Sequence, residues 1–195
     1  MSLAEEKKLN AEFRQAQPFP HLVIPNFLIK EQAGNLLKAL AQERFLPKEA
    51  DLFKLMQTDD LAGTKNKNLQ EFRRVLASQE FVGWLSKVTG ITLTPGVIDM
   101  AGSLYQDTDF LLCHDDRLEG RKIAYMYYLS DFKEREGGSL NFLGHKGTTP
   151  TKVLRKIAPK FNTFVFFEVS PHSFHEVEEV LVKKQRITIG GWFHG

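Results

Sequence analysis

The hydrophobic pattern of this sequence changes once, near residue 97, and the change limits the folds open to the chain. Before it, apolar residues recur at helical spacing; after it, short β-type runs follow one another with no helical segment between them. The runs, separated by turn residues, are VIDMAGSLYQ, DFLLCH, KIAYMYYLS, GSLNFLG, NTFVFFEVS, SFHEVEEV and RITIGGWF. The pattern predicts an α+β protein whose antiparallel strands form a double-sheet roll.

Helical segments are predicted in the N-terminal half. Residues 28–43 and 68–88 each carry apolar side chains on one face at helical spacing. The second segment is predicted to break near Ser78 and to stop at Gly90, which is a favourable helix end. A short strand is expected in FPHLVIPNF, and a further helix over residues 4–15.

The segment of residues 47–68 between the two helices is polar in its second half and has no clear period. It is long for a plain connector, and long loops of this kind are often lids or disordered segments. Residues 51–68 are therefore a candidate lid, with an ordinary surface loop as the alternative.

The size and charge of the chain fit one intracellular domain. A chain of 195 residues predicts a single domain over residues 1–195, with residues 1–17 as a loosely attached N-terminal extension. Its one cysteine excludes an internal disulfide framework and favours a reducing compartment, the cytoplasm. A net charge of +2 does not favour binding to nucleic acid or to a membrane. We find neither a signal peptide nor a run of about 20 apolar residues.

The motif His-x-Asp at His114 and Asp116 follows the apolar run DFLLC. On an extended backbone, residues two apart point the same way, so both side chains can reach one ion while Asp115 faces away. With 6 histidines and 24 acidic residues in 195 positions, roughly 0.7 such pairs arise by chance, and a polar turn is the alternative.

A second histidine pair lies in SPHSFHEV and supplies a third candidate ligand. His175 opens a β-type run, whereas His172 follows Pro171 in a turn, where exposure is expected. Two histidines and one carboxylate form the facial set of non-haem Fe(II) oxygenases, which leaves coordination positions open. The alternative is that His175 is a core histidine.

Arg186 and Thr188 share one face of the run RITIGGWF. A buried arginine requires an anionic partner, and its planar fork suits a carboxylate, to which a neighbouring hydroxyl can add a hydrogen bond. A salt bridge at the rim with Glu168 or Glu178 is the alternative. Taken together, the motifs predict iron held by His114, Asp116 and His175, and an acidic cosubstrate held by Arg186 and Thr188.

Five stretches carrying these motifs resemble, in order, a known enzyme family: the Fe(II)- and 2-oxoglutarate-dependent prolyl hydroxylases that modify a proline in a small-subunit ribosomal protein. The resemblance covers residues 18–195, nearly the whole chain. The stretches are PFPHLVIPNF, CHDDRLEGRKIAYMYYL, GGSLNF, FVFFEVSPHSFHEV and ITIGGWFHG. Eukaryotic members of that family carry a second, non-catalytic roll, whereas the resemblance here covers the catalytic roll, so either a single-domain relative or the catalytic part of a two-domain protein is expected.

The resemblance implies a double-stranded β-helix (jelly-roll) core supported by N-terminal helices, with Fe(II) bound by His114, Asp116 and His175. It further implies that Arg186 binds the distal carboxylate of 2-oxoglutarate, and that Tyr128, otherwise a core aromatic, hydrogen-bonds the same end. The implied reaction is hydroxylation of a prolyl residue by O2, with ascorbate as reductant and release of succinate and CO2. The implied partner is a proline-containing protein, and the expected location is the cytoplasm, or also the nucleus if the source is eukaryotic. No membrane binding is expected, and the composition gives no strong evidence for direct nucleic-acid binding.

Three further residues are candidates for contact with substrate or a lid. They are Asp115 in the turn, Leu140 in GGSLNF beside the mouth of the roll, and Trp192, for which core packing is an equal explanation. Two other functions remain open at this point: an oxygenase acting on a modified nucleic acid or a small molecule, and a non-enzymatic binding module. A nucleic-acid enzyme should carry a basic, aromatic groove.

Overall fold

A computed structural model describes residues 3–195, and within them four helices precede most of an eleven-stranded sheet. The helices are α1 Leu3–Gln15, α2 Lys30–Leu40, α3 Lys67–Leu76 and α4 Gln79–Thr89. The strands are β1 His21–Pro25, β2 Leu46–Ala50, β3 Phe53–Gln57, β4 Ala101–Tyr105, β5 Phe110–His114, β6 Arg121–Tyr128, β7 Leu140–Lys146, β8 Thr149–Ile157, β9 Thr163–Glu168, β10 His175–Val177 and β11 Arg186–His194. The predicted α+β class is confirmed.

The break between α3 and α4 is confirmed at the predicted residue. The Ser78 hydroxyl accepts the N–H of Phe81 and so caps the start of α4. Gly90 ends the helix with φ 75°, a left-handed conformation that glycine adopts without steric cost.

The sheet is antiparallel and curls back on itself. Its strand order is β1-β9-β6-β11-β4-β3-β5-β10-β7-β8, with β2 added on β3. Although β9 and β7 lie near opposite ends of this order, the rings of Phe167 and Phe142 are 5.3 Å apart. The Phe167 ring is also 4.6 Å from that of His175 on β10. The two ends of the sheet therefore face each other, and the strands enclose an interior.

Alternation along β6 and β9 divides the core into two. Tyr125 and Phe166 belong to a cluster with the apolar faces of the four helices. Tyr128 and Phe167 lie on the opposite faces of the same two strands and point into a second cluster inside the roll. Strands β6 and β9 are thus buried on both faces, and phenylalanine side chains pack on each face. The helices cover the outer face.

Residues 3–15 are not the loosely attached extension that was predicted. They form α1, which packs on α4, and the Phe13 side chain is 1% exposed and stacks on Phe166 at 5.8 Å. The Asn10 side-chain amide also donates to the Val88 carbonyl at 2.8 Å. The weak helical pattern hid this packing because one large aromatic residue, rather than a full apolar stripe, anchors the helix.

The prediction of a loop over residues 47–68 was wrong for its first half. Residues 46–57 form the hairpin β2–β3, and β3 pairs with both β4 and β5. The side chains of β2 are mostly exposed, and its sequence LPKEA does not alternate between apolar and polar residues, so the hairpin lacks a pattern that could be read locally. Pairing with strands some fifty residues away decides its conformation, and residues 51–57 are consequently part of the roll wall rather than a lid.

Strand β8 was also missed, because its side chains are almost all exposed. It pairs only with β7 and forms one edge of the sheet. The basic residues of this segment predict a solvent-exposed edge, in agreement with that position. Charged side chains on an edge strand discourage pairing with other chains. No helix within residues 3–195 has the length and apolarity that crossing a membrane requires.

Candidate metal centre

Two neighbouring strands bring the candidate histidines together. His114 is the last residue of β5 and His175 the first of β10, and the two are paired in register. Their rings are 4.1 Å apart. Asp116 lies two residues beyond the end of β5 and projects its carboxylate between them, with Oδ1 3.3 Å from His114 Nε2 and Oδ2 3.2 Å from His175 Nε2. The ligand atoms of all three residues lie within 4.8 Å of one another.

The backbone at Asp116 differs from the one assumed in the sequence argument. Asp116 has φ 61°, the left-handed region, so it does not continue the extended strand. The turn, rather than strand alternation, returns its side chain toward His114. Asp115 faces away as expected, since its carboxylate binds Arg117 at 2.8 Å.

Both histidines present their Nε2 atoms to the cluster. His114 Nδ1 lies 2.8 Å from the Leu112 carbonyl, and His175 Nδ1 lies 2.8 Å from the Ser173 carbonyl. A carbonyl oxygen can only accept, so each Nδ1 carries a proton; each Nε2 then donates to Asp116 when its ring is protonated and offers a lone pair to a metal when the ring is neutral. Two imidazole nitrogens and a carboxylate therefore converge with the chemistry that a divalent transition metal requires.

The electrostatics of the cluster favour an ionised carboxylate. Burial would raise the pKa of Asp116, but the charge of His175 and hydrogen bonds from both histidines hold that pKa well below its usual range. Burial would lower the pKa of His114, but the hydrogen bond to Asp116, the charge of that carboxylate and the hydrogen bond to the Leu112 carbonyl together outweigh burial and raise the pKa of the imidazole. The cluster is thus ready to hold positive charge.

Arg186 is buried, with 1% of its surface exposed. Its Nε donates to the Gly138 carbonyl at 2.7 Å, and one terminal nitrogen is 3.5 Å from the Tyr128 hydroxyl. Gly138 has φ 69°, and a Cβ there would lie 3.1 Å from the Arg186 side chain, so glycine is needed at this close approach. Among residues 3–195 no carboxylate pairs with Arg186, and Glu178 pairs instead with Lys156.

A cavity of about 830 Å³ joins the cluster to Arg186. The three candidate ligands, Arg186 and Thr188 all line it. Tyr128 is fully buried and sits behind Arg186 rather than on the cavity wall, and burial raises the pKa of its hydroxyl. A buried cation without an acidic partner at one end of a cavity is a site for an anionic ligand.

Tyr105 is a cavity residue that the sequence argument missed. It is paired with Arg186 across β4 and β11, and its ring lies 4.9 Å from the guanidinium carbon. Burial raises its pKa to about 12 in spite of the Arg186 charge, so the phenol stays protonated and able to donate. Only the strand register places it here, and the sequence carries no local sign of that register.

The three candidate substrate residues have different positions. Leu140 is fully buried and forms part of the cavity wall. Trp192 lines the cavity beneath Arg121, whose guanidinium carbon lies 3.3 Å from the ring centre, and its indole N–H lacks a partner among residues 3–195. Asp115 pairs with Arg117 and lies outside the cavity lining.

His172 stays apart from the cluster. It is exposed and stacks on His145 with the rings 4.0 Å apart. The structure therefore groups His175, and not His172, with His114 and Asp116.

Comparison with known proteins relates the site to one family of sequences. Residues 100–194 match the family model described as the 2OG-Fe(II) oxygenase superfamily, and this range contains the three clustered residues and Arg186. The chain is 43% identical over 185 residues to prolyl 3-hydroxylase OGFOD1 of Mus musculus, covering 91% of this chain and 33% of that protein. It is 42% identical over 164 residues to prolyl 3,4-dihydroxylase OGFOD1 of Ostreococcus tauri, covering 75% of this chain and 32% of that protein. The chain thus spans about a third of the length of the curated relatives it matches.

A solved structure shows the same fold. The prolyl-4-hydroxylase of Pseudomonas putida superposes with a TM-score of 0.76, covering 95% of this chain and 98% of that one, at 16% sequence identity. The predicted jelly-roll core with supporting N-terminal helices is confirmed by this match. At such low identity the likeness concerns the fold alone.

Proposed function

The chain belongs to the 2OG-Fe(II) oxygenase superfamily, and we propose that it hydroxylates a prolyl residue of a protein in a reaction that consumes 2-oxoglutarate and O2. One observation carries the proposal. A cluster of two histidines and one carboxylate shares a cavity with a buried arginine that has no acidic partner among residues 3–195. The first feature suits Fe(II), and the second suits the distal carboxylate of 2-oxoglutarate.

Membership of this family implies Fe(II), 2-oxoglutarate and O2 as the cofactor and cosubstrates, in agreement with the sequence prediction. The residues present fit the group, since His114, Asp116 and His175 offer nitrogen and oxygen donors from one side only. Bound iron would supply the activation of O2 that oxidises a carbon–hydrogen bond. Ascorbate would serve as the external reductant.

The chain's own residues would bind and orient the cosubstrate. Arg186 would hold the distal carboxylate, because its Nε is already fixed by the Gly138 carbonyl and its side chain lines the cavity. The Thr188 hydroxyl, two residues along the same strand face, would add a hydrogen bond. Tyr128 would steady the guanidinium from behind, and burial of all three residues keeps water from competing.

We further propose that the substrate proline belongs to a small-subunit ribosomal protein. Support comes from the sequence resemblance and from relatives that are named prolyl hydroxylases over the matched region. The end of the cavity that bears Trp192 and Arg121 would receive the substrate, since Arg186 occupies the other end of the same strand. Its rim also contains Asp59, Asp60 and Asp99, a composition that does not favour a nucleic-acid strand.

The substrate proposal predicts a specific mass change. Proline-containing peptides of small-subunit ribosomal proteins, incubated with the chain, Fe(II), 2-oxoglutarate and ascorbate, are expected to gain one oxygen atom. Peptide fragmentation would place that oxygen on proline. The His114→Ala variant, treated identically, should leave the peptides unchanged. Oxidation of other residues alone, or of none across the whole set while 2-oxoglutarate is consumed, would contradict the prolyl assignment.

A further inference from the structure

Ser173 is a fully buried serine in the turn that leads into β10. Its hydroxyl accepts the Ser170 N–H at 2.9 Å and faces two carbonyl oxygens, that of Ser170 at 2.9 Å and that of Asp115 at 3.2 Å. The Ser170 carbonyl also receives the Ser173 N–H at 3.3 Å. The Ser170 carbonyl thus has a second donor, and the contact of the Ser173 hydroxyl with the Asp115 carbonyl joins this turn to the segment after β5.

The Asp115 carbonyl belongs to the peptide bond immediately before Asp116. Fixing that carbonyl fixes the plane of the peptide, which is one of the two groups whose relative rotation about the N–Cα bond defines φ of Asp116. Asp116 has φ 61°, a left-handed conformation that costs free energy in a residue other than glycine and persists only where its surroundings hold it. The contact from Ser173 is placed to maintain it.

The carbonyl of Ser173 acts on a second residue of the cluster. It accepts the Nδ1–H of His175 at 2.8 Å, which sets the tautomer and the ring orientation of that imidazole. One residue thus contacts the backbone that carries Asp116 and the ring of His175. His114, the third residue of the cluster, is joined to His175 by the pairing of β5 with β10.

We propose that Ser173 is a positioning residue of the metal centre, whose hydroxyl and carbonyl hold Asp116 and His175 in the arrangement that binds the ion. The proposal rests on the proposed iron site. Outer hydrogen-bond partners of metal ligands typically contribute about 10- to 100-fold to metal affinity. Arg186 lies on β11 and its side chain hydrogen-bonds to Gly138 and Tyr128, so its contact with the distal carboxylate of 2-oxoglutarate should depend little on Ser173.

The test is a titration of the full chain, freed of metal, with Mn(II) in the presence of 2-oxoglutarate. Ser173→Ala is expected to raise the dissociation constant about tenfold or more, while Ser173→Thr, which keeps the hydroxyl, should restore most of the affinity. Ser139→Ala is the matched control, because Ser139 is equally buried but its hydroxyl has no partner among residues 3–195. That control should bind Mn(II) as the unaltered chain does.

Two further measurements separate positioning from folding and from the iron site itself. Urea unfolding of the metal-free proteins reports whether Ser173→Ala folds; if it does not, Ser173→Cys, which keeps the volume with a weaker donor, takes its place. Unchanged Mn(II) affinity in the folded variant, with binding lost in His114→Ala, would overturn the role of Ser173 alone. Unchanged affinity in His114→Ala as well would instead overturn the proposed metal site.

Discussion

Replacing Asp116 by alanine is expected to lower the consumption of 2-oxoglutarate more than about 1,000-fold, since metal catalysis contributes several kcal/mol and each ~1.4 kcal/mol is a factor of ten. The carboxylate lies between the two imidazoles, 3.3 Å and 3.2 Å from their Nε2 atoms. Removing it deletes the only anionic donor of the cluster, so the metal would be bound weakly. His114→Ala should lose turnover to a similar extent.

The matched control is Asp115→Ala, the same substitution one residue earlier. The Asp115 carboxylate pairs with Arg117 rather than lining the cavity, and its backbone carbonyl survives the change. Turnover by this variant should stay within about threefold of the unaltered chain, because exposed ion pairs contribute little to stability. Succinate formation measured at saturating iron checks both variants. Equal turnover in Asp116→Ala and Asp115→Ala would remove Asp116 from the ligand set.

Arg186→Met is expected to raise the KM for 2-oxoglutarate about 10- to 100-fold, because hydrogen bonds to charged groups contribute about 1.5–3 kcal/mol. Methionine keeps much of the side-chain volume, so packing against Tyr105 and Tyr128 is partly preserved. The loss is then chiefly that of the cation that would meet the carboxylate. Turnover at saturating 2-oxoglutarate should fall less than the ratio of kcat to KM.

Initial rates over a range of 2-oxoglutarate concentrations measure this effect. Arg155→Ala serves as control, since Arg155 is an exposed arginine on the edge strand β8, outside the cavity lining. Mn(II) affinity without cosubstrate should not change in either variant. A folded Arg186→Met variant with an unaltered KM would show that the carboxylate is held elsewhere.

The sequence was informative wherever the determining contacts were local or followed from alternation. The start and end of α4 needed only the capping hydroxyl of Ser78 and the glycine at position 90. Two-residue alternation placed Arg186 and Thr188 on one face, and both line the cavity. The preference for His175 over His172 rested on the start of a β run, and the structure puts only His175 beside His114.

It was less informative where pairing over long sequence distances decides the structure. The hairpin β2–β3 has an exposed first strand without regular alternation, and it is ordered by the pairing of β3 with β4 and β5. Tyr105 reaches Arg186 only through the register of β4 with β11. Asp116 was predicted to point the same way as His114 because residues two apart on an extended strand do so. That reason does not apply, because the chain turns at Asp116 with a positive φ. None of these features has a local periodic signal.

A crystal structure of the full chain with Mn(II) and 2-oxoglutarate, analysed by anomalous scattering, tests the central claim most directly. We expect one strong anomalous peak bonded to His114, Asp116 and His175, with the distal carboxylate of 2-oxoglutarate on Arg186. A peak at another position, such as the exposed His145–His172 pair, with none at the cluster would contradict the account. So would a cosubstrate bound at the cluster with its distal carboxylate directed away from Arg186.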